Sequence, residues 1–98
     1  MGVRRVVYVL RSEQEPTRYY VGLTADVRLR LADHNAGGSA PTAKYRPWRS
    51  AGSIEFETTN QATEFERYLK SGSGRAFARR HFERADLVTP GRHERVPR

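Results

Sequence analysis

The stretch "RRVVYVLRSEQEPTRYYVGLT", residues 4–24, decides the fold. Two runs rich in valine, leucine and tyrosine flank a polar link that holds one proline, Pro16. β-Branched and aromatic residues in short runs predict strands, here over about residues 4–11 and 18–24. A link this short joins them as an antiparallel hairpin. Gly22, inside the second run, signals a close backbone approach or a bulge.

Beyond the hairpin the apolar period changes to that of a helix. Thr24 is the expected N-cap, Asp26 suits the first turn, and "ADVRLRLADHN" carries the pattern until Gly37 and Gly38 end it. Residues 37–53 form a long connection, and long connections in small domains tend to carry function. "GSIEFETT" alternates Ile54 and Phe56 with Glu55 and Glu57, a half-buried third strand. A second helix starts near Thr59 or Asn60 and runs to about Ser71, where "SGSG" breaks it. "RAFARRHF" begins a third helix. The expected class is α/β of the α+β type: a three-stranded antiparallel sheet flanked by helices, in the order β-β-α-β-α-α. Residues 1–85 form the expected domain, two layers at most, and 86–98 a polar, flexible tail.

Charge narrows the partners. The chain carries 18 Lys+Arg against 11 Asp+Glu, a net charge of +7, and all its basic residues except Lys44 and Lys70 are arginines. Arginine is the better fork for phosphate oxygens, so nucleic acid is the first candidate partner; simple solubility is the plainer account. No cysteine is present, which excludes disulfides, thiolate zinc sites and cysteine nucleophiles and fits a reducing, cytoplasmic setting. No apolar run approaches the ~18 residues of a membrane span, and no small-residue cleavage site follows the N-terminal apolar run.

Several polar residues sit where apolar ones are expected. His34 continues the apolar line of Val27 and Leu31, and Arg30 lies on its shoulder, one turn from His34. A core histidine bonded to a backbone carbonyl and a snorkelling arginine are the plain readings. Tyr8, Tyr19 and Tyr20 are ordinary strand residues by themselves. On the second helix, Ala62, Phe65 and Leu69 form an apolar stripe, with Glu66 on its shoulder and Arg30 the obvious salt-bridge partner. Phenols, a guanidinium, an imidazole and one carboxylate converge if both helices cover the same region of sheet, and each then needs a partner. In the long connection, "AKYRPWR" interleaves Lys44, Arg46 and Arg49 with Tyr45 and Trp48. Cations there suit phosphates and rings suit bases, or else Trp48 pins the loop into the core. Lys70 and Arg75 complete the candidate nucleic-acid-binding set.

The ordered set resembles the GIY-YIG nuclease superfamily, and within it the small stand-alone bacterial members. "VVY" (6–8) and "YVG" (20–22) stand for the two named motifs, with eleven residues between Tyr8 and Tyr20. Arg30 follows ten residues after Tyr20, His34 four further on, and Ala62, Glu66, Leu69 and Lys70 meet the helix-two pattern. "KYRPW" and "LKSGSGRAFARRHF" also look like that subgroup, so the likeness spans roughly residues 4–82. Val6 and Val7 replace the glycine and isoleucine of the family name.

The resemblance implies a metal-dependent DNA endonuclease serving repair, recombination or DNA turnover. Glu66 is then the metal ligand, Arg30 the catalytic arginine, and Tyr8 and Tyr20 active-site phenols with His34 beside them. One carboxylate with waters and phosphate oxygens suits a single hard ion, Mg2+ or Mn2+. Tyr8 and His34 are rival general bases, and Arg30 with the metal is expected to favour the Tyr8 phenolate. The expected partner is DNA, not a membrane; a protein partner stays open, and the state is monomer or weak homodimer. Two other readings compete: a nucleic-acid-binding module with the nuclease fold but little turnover, and a basic RNA-binding domain.

Overall fold

A computed structural model describes residues 3–82. The boundary expected at residue 85 and the tail 86–98 lie outside the described residues. Strand β1 (Val6–Ser12) is the centre of a three-stranded antiparallel sheet, with β2 (Tyr19–Thr24) on one side and β3 (Trp48–Glu55) on the other. Four helices complete the chain: α1 (Val27–Asn35), α2 (Ala40–Ala43), α3 (Thr59–Leu69) and α4 (Gly72–His81). The order β-β-α-β-α-α stands, with α2 as an extra single turn inside the long connection. Among the described residues no helix is long and apolar enough to cross a membrane.

The run Val7-Tyr8-Val9-Leu10 is buried throughout, which explains why it lacks an alternating polar face. Val7 and Val9 point to one side, where they meet Val21, Ala62 and Leu69 of α3 and Ala78 of α4. Tyr8 and Leu10 point to the other and meet Trp48, with Val27 and Leu31 of α1 around them. Helices therefore cover both faces, not one, and the two-layer expectation is corrected. The physical reason is β1 itself: a strand with two apolar faces must be covered twice.

Local chemistry moved several boundaries. Asp26, not Thr24, caps α1, accepting from the Leu29 N–H at 3.2 Å; the Thr24 hydroxyl supports the cap by accepting from the Asp26 N–H at 3.1 Å. The helix ends where expected, because Gly37 adopts φ 86°, a left-handed conformation that suits glycine. A capping box between Thr58 and Gln61 starts α3. "SGSG" does not merely end a helix. Ser71 caps α4 by accepting from the Gly74 N–H at 3.2 Å, so α4 starts at Gly72, three residues before "RAFARRHF". β3 begins at Trp48 instead of Gly52, with a register shift where Ala51 falls between the partners of Val9 and Leu10. Its side chains are mostly exposed, so backbone pairing and not an apolar pattern defines its first half.

Candidate active site

The site grows from the contact between β1 and α1. Tyr8 stands opposite Gly22 on β2, and a Cβ at Gly22 would lie 2.5 Å from the Tyr8 hydroxyl. The glycine is thus the close approach expected from the sequence: it leaves room for the phenol to lie flat across β2. The hydroxyl meets Nε2 of His34 at 2.9 Å. His34 is fully buried, and its Nδ1 meets Thr42 Oγ1 at 2.7 Å. The Thr42 hydroxyl donates to the Ser39 carbonyl at 3.1 Å. A hydroxyl has one proton to give; with that proton on the Ser39 carbonyl, Thr42 Oγ1 accepts from His34 Nδ1–H. Nε2 is then the bare nitrogen, and the Tyr8 hydroxyl donates to it. The plain reading of His34, a bond to a backbone carbonyl, is replaced by two side-chain bonds.

Tyr20 closes the cluster, with ring centroids 6.3 Å from Tyr8 and 5.0 Å from His34, edge-on to the imidazole. Arg30 acts on both polar groups. Burial raises the Tyr8 phenol above its usual value, and the charge and hydrogen bonding of Arg30 oppose that without winning. The expected push of Arg30 toward phenolate is therefore outweighed by desolvation. Burial, with Arg30 second, lowers the His34 imidazole, and Asp33 opposes. Both groups rest neutral, the condition for a neutral phenol to donate to a neutral imidazole. They form a floor beneath the partly exposed Arg30 and Tyr20.

Glu66 sits on the other helix layer. Its side chain is 19% exposed, and Oε2 lies 2.5 Å from Lys70 Nζ. Arg30 pairs with Asp33 on its own helix. The expected Arg30–Glu66 ion pair is thus absent, because each charge finds a nearer partner within its helix. Convergence of both helices on one region of sheet is corrected likewise: α1 covers the Tyr8 face and α3 the Val7 face. A groove at the β2 edge links the two. It encloses about 520 Å³ and is lined by Tyr20, Thr42 and Tyr45 on one side and Leu69, Lys70, Arg75 and Arg79 on the other. Glu66 is tied to that wall through Lys70.

Among the described residues no three His, Cys, Asp or Glu side chains gather to hold a metal ion. An all-protein cage is therefore not on offer. A single, partly exposed carboxylate tied through Lys70 to a basic groove has the chemistry to hold a hard ion completed by water and other oxygens, once Lys70 swings away.

The candidate nucleic-acid residues divide. Tyr45, Trp48, Lys70 and Arg75 line the groove, together with Arg18 and Arg79, which the sequence reading did not single out. The Arg18 guanidinium lies 4.2 Å from the Tyr45 ring centroid, and Lys44 Nζ 5.6 Å. Arg46 turns back to donate to the Ala43 carbonyl at 2.7 Å. Arg49 lines a separate hollow with Arg11 and Glu13. Trp48 is only 4% exposed, and its indole N–H donates to the Thr42 carbonyl at 2.8 Å. It pins the loop, one of the two readings open for it, and its burial leaves little ring surface for a base. Asn35 clamps the Trp48 backbone on both polar atoms, at 2.9 and 2.6 Å. Thr42, in the single turn α2, was also missed: a threonine eight residues from His34 carries no sequence signal.

The family model described as the GIY-YIG catalytic domain matches residues 4–80. A structure-specific endonuclease subunit SLX1 of Scheffersomyces stipitis is 40% identical over 61% of this chain and 20% of its own length. That of Candida dubliniensis is 33% identical over 85% of this chain and 30% of its own. A UPF0213 protein of Cupriavidus pinatubonensis is 34% identical over 67% of this chain and 74% of its own. The chain thus spans about a fifth to a third of the SLX1 relatives named. No solved structure matches. With the family match running through both tyrosine strands, α1 and α3, the chain belongs to the GIY-YIG family.

Proposed function

We propose that this chain is a divalent-metal-dependent endonuclease that hydrolyses DNA phosphodiesters, with branched DNA as its preferred substrate. The observation that carries the reading is the buried Tyr8–His34 hydrogen bond at 2.9 Å beside Arg30, joined through Tyr20 and Thr42 to a groove whose charged lining is wholly basic. Arg30 stabilises the negative charge that grows on the phosphate, an electrostatic effect of about 3 kcal/mol in comparable sites. Tyr20 orients the phosphate or the attacking water. Tyr8 and His34 handle the proton as one unit. Glu66 holds the ion, Mg2+ or Mn2+, which when bound supplies Lewis-acid neutralisation of the phosphate and leaving oxygen. The words "structure-specific" and "subunit" in the names of the SLX1 relatives support branched DNA as substrate and a protein partner.

One observation favours a second reading, a binding module without turnover: Lys70 neutralises Glu66 at 2.5 Å and occupies the place of a cation. One experiment separates the two. Plasmid, branched DNA and RNA are incubated with Mg2+, Mn2+ or chelator, comparing wild type with Glu66→Gln. The nuclease reading expects metal-dependent nicking of DNA, lost in Glu66→Gln while the fold persists. DNA binding with no nicking in any metal establishes the binding module. Full activity in Glu66→Gln removes Glu66 from the metal.

A further inference from the structure

We propose that Thr42 is a positioning residue for proton transfer, holding His34 in the one tautomer that can take the proton of Tyr8. The proposal rests on the endonuclease reading for its catalytic part. Its geometric part stands on three consecutive contacts: Tyr8 hydroxyl to His34 Nε2 at 2.9 Å, His34 Nδ1 to Thr42 Oγ1 at 2.7 Å, and Thr42 hydroxyl to the Ser39 carbonyl at 3.1 Å. The carbonyl, which also accepts from the Thr42 and Ala43 N–H groups at 3.1 and 3.0 Å, can only accept, so a Thr42 hydroxyl that donates to it sets the direction of the chain. Neutral imidazole in water exchanges its proton between nitrogens; here the Ser39 carbonyl, acting through Thr42, assigns it to Nδ1.

The arrangement is built, not incidental. Thr42 is fully buried, its carbonyl is held by the Trp48 indole, and Trp48 is clamped by Asn35 from α1, the helix that carries His34. The turn α2 that presents Thr42 is therefore locked to α1 at two points, His34 directly and Asn35 through Trp48. In the step this serves, a water oxygen forms the new P–O bond while the P–O3′ bond breaks with its electron pair on O3′. The water's proton passes to the Tyr8 oxygen as the Tyr8 proton passes to His34 Nε2. The imidazolium so formed keeps its Nδ1–H bond to Thr42, and O3′ takes a proton from solvent. With the proton on Nε2 instead, Tyr8 has no acceptor and the step has no exit.

Nitrogen-15 NMR of imidazole-labelled protein reads the tautomer directly, without substrate. Wild type is expected to show His34 protonated at Nδ1. Thr42→Val, close to isosteric, removes the hydroxyl; it is expected to mix the tautomers and to slow cleavage about tenfold or more. Thr42→Ser restores the hydroxyl and is expected to restore both. Thermal melting checks that the variants fold, and if Thr42→Val does not, the wild-type tautomer and the Thr42→Ser rate still decide. A wild-type His34 protonated at Nε2 overturns the proposal. So does a folded Thr42→Val that cleaves at the wild-type rate, or a Thr42→Ser that loses activity as Thr42→Val does. If wild type cuts nothing, the endonuclease reading fails and takes the catalytic part with it, while the tautomer still decides whether Thr42 sets the imidazole.

Discussion

His34 shows how one residue couples stability to pH. It is fully buried between Tyr8 and Thr42, and burial followed by the Arg30 charge lowers its pKa, with Asp33 opposing. In the unfolded chain the imidazole takes a proton near its ordinary value of ~6.5. In the folded chain it resists, so acid favours the unfolded state. The sign follows: the contribution of neutral His34 is fully present above about pH 6.5 and is lost as pH falls toward its depressed folded value. The melting temperature of wild type is expected to drop between about pH 7 and 5, and His34→Gln, which offers Tyr8 an acceptor but does not titrate, is expected to drop less. Parallel curves for the two proteins would assign the acid sensitivity elsewhere. Tyr8 works in the opposite direction. Its raised pKa keeps the phenol neutral in the fold, and its contribution fades only in strong base.

At the scale of the elements, Gly74 is the clearest case of a residue whose role only packing reveals. A Cβ there would lie 1.7 Å from the Tyr68 carbonyl oxygen, so the first turn of α4 sits directly on the end of α3. Gly72, two residues earlier, faces open space. Gly74→Ala is expected to cost about 3 kcal/mol or more, a fall of upward of ~10 °C in melting temperature. Gly72→Ala is expected to be neutral or slightly stabilising, because it restricts the unfolded chain without a clash. Equal melting temperatures for the two variants would refute the tight α3–α4 contact.

The same contrast explains what was legible in the sequence. The hairpin, the three-stranded sheet and the α3 stripe of Ala62 and Leu69 could be read, because periodicity and β-branching express burial directly. The start of α4 could not: a glycine chosen for close approach has the same letter as one that ends a helix. The first half of β3 was hidden because an edge strand held by backbone pairing needs no apolar pattern. Of the site, His34 and Arg30 stood out as polar groups in or beside an apolar line, while Tyr8 and Tyr20 were ordinary strand residues that only the motif spacing marked. Thr42, Arg18 and Arg79 did not stand out, since a threonine in a single turn and surface arginines are unremarkable until the fold assembles them.

Across the whole molecule, the sheet separates two kinds of core. The α3–α4 side is aliphatic and aromatic, with Phe65 tilted against Phe56 and edge-to-face with Phe77 at centroid distances of 5.3 and 6.1 Å. The α1–α2 side holds the phenol and imidazole chain. The groove at the β2 edge is where the two sides meet, and its lining contains Arg18, Lys70, Arg75 and Arg79 with no carboxylate among them. On a chain of net charge +7 this predicts a track for the DNA backbone. Each phosphate neutralised adds about 0.9 to the slope of log affinity against log salt on duplex DNA. Arg79→Ala is therefore expected to lower that slope by about one and to weaken binding regardless of sequence. Arg18, already bonded to Glu15 at 2.7 Å, is expected to contribute a smaller part, because Glu15 offsets its charge. Arg49→Ala, in the separate hollow, is the control and is expected to leave the slope nearly unchanged. Fluorescence anisotropy on a labelled duplex between about 50 and 200 mM salt measures all three. A slope that falls for Arg49→Ala and holds for Arg79→Ala would move the backbone track off the β2 edge, and would part the groove from the Tyr8–His34 floor it adjoins.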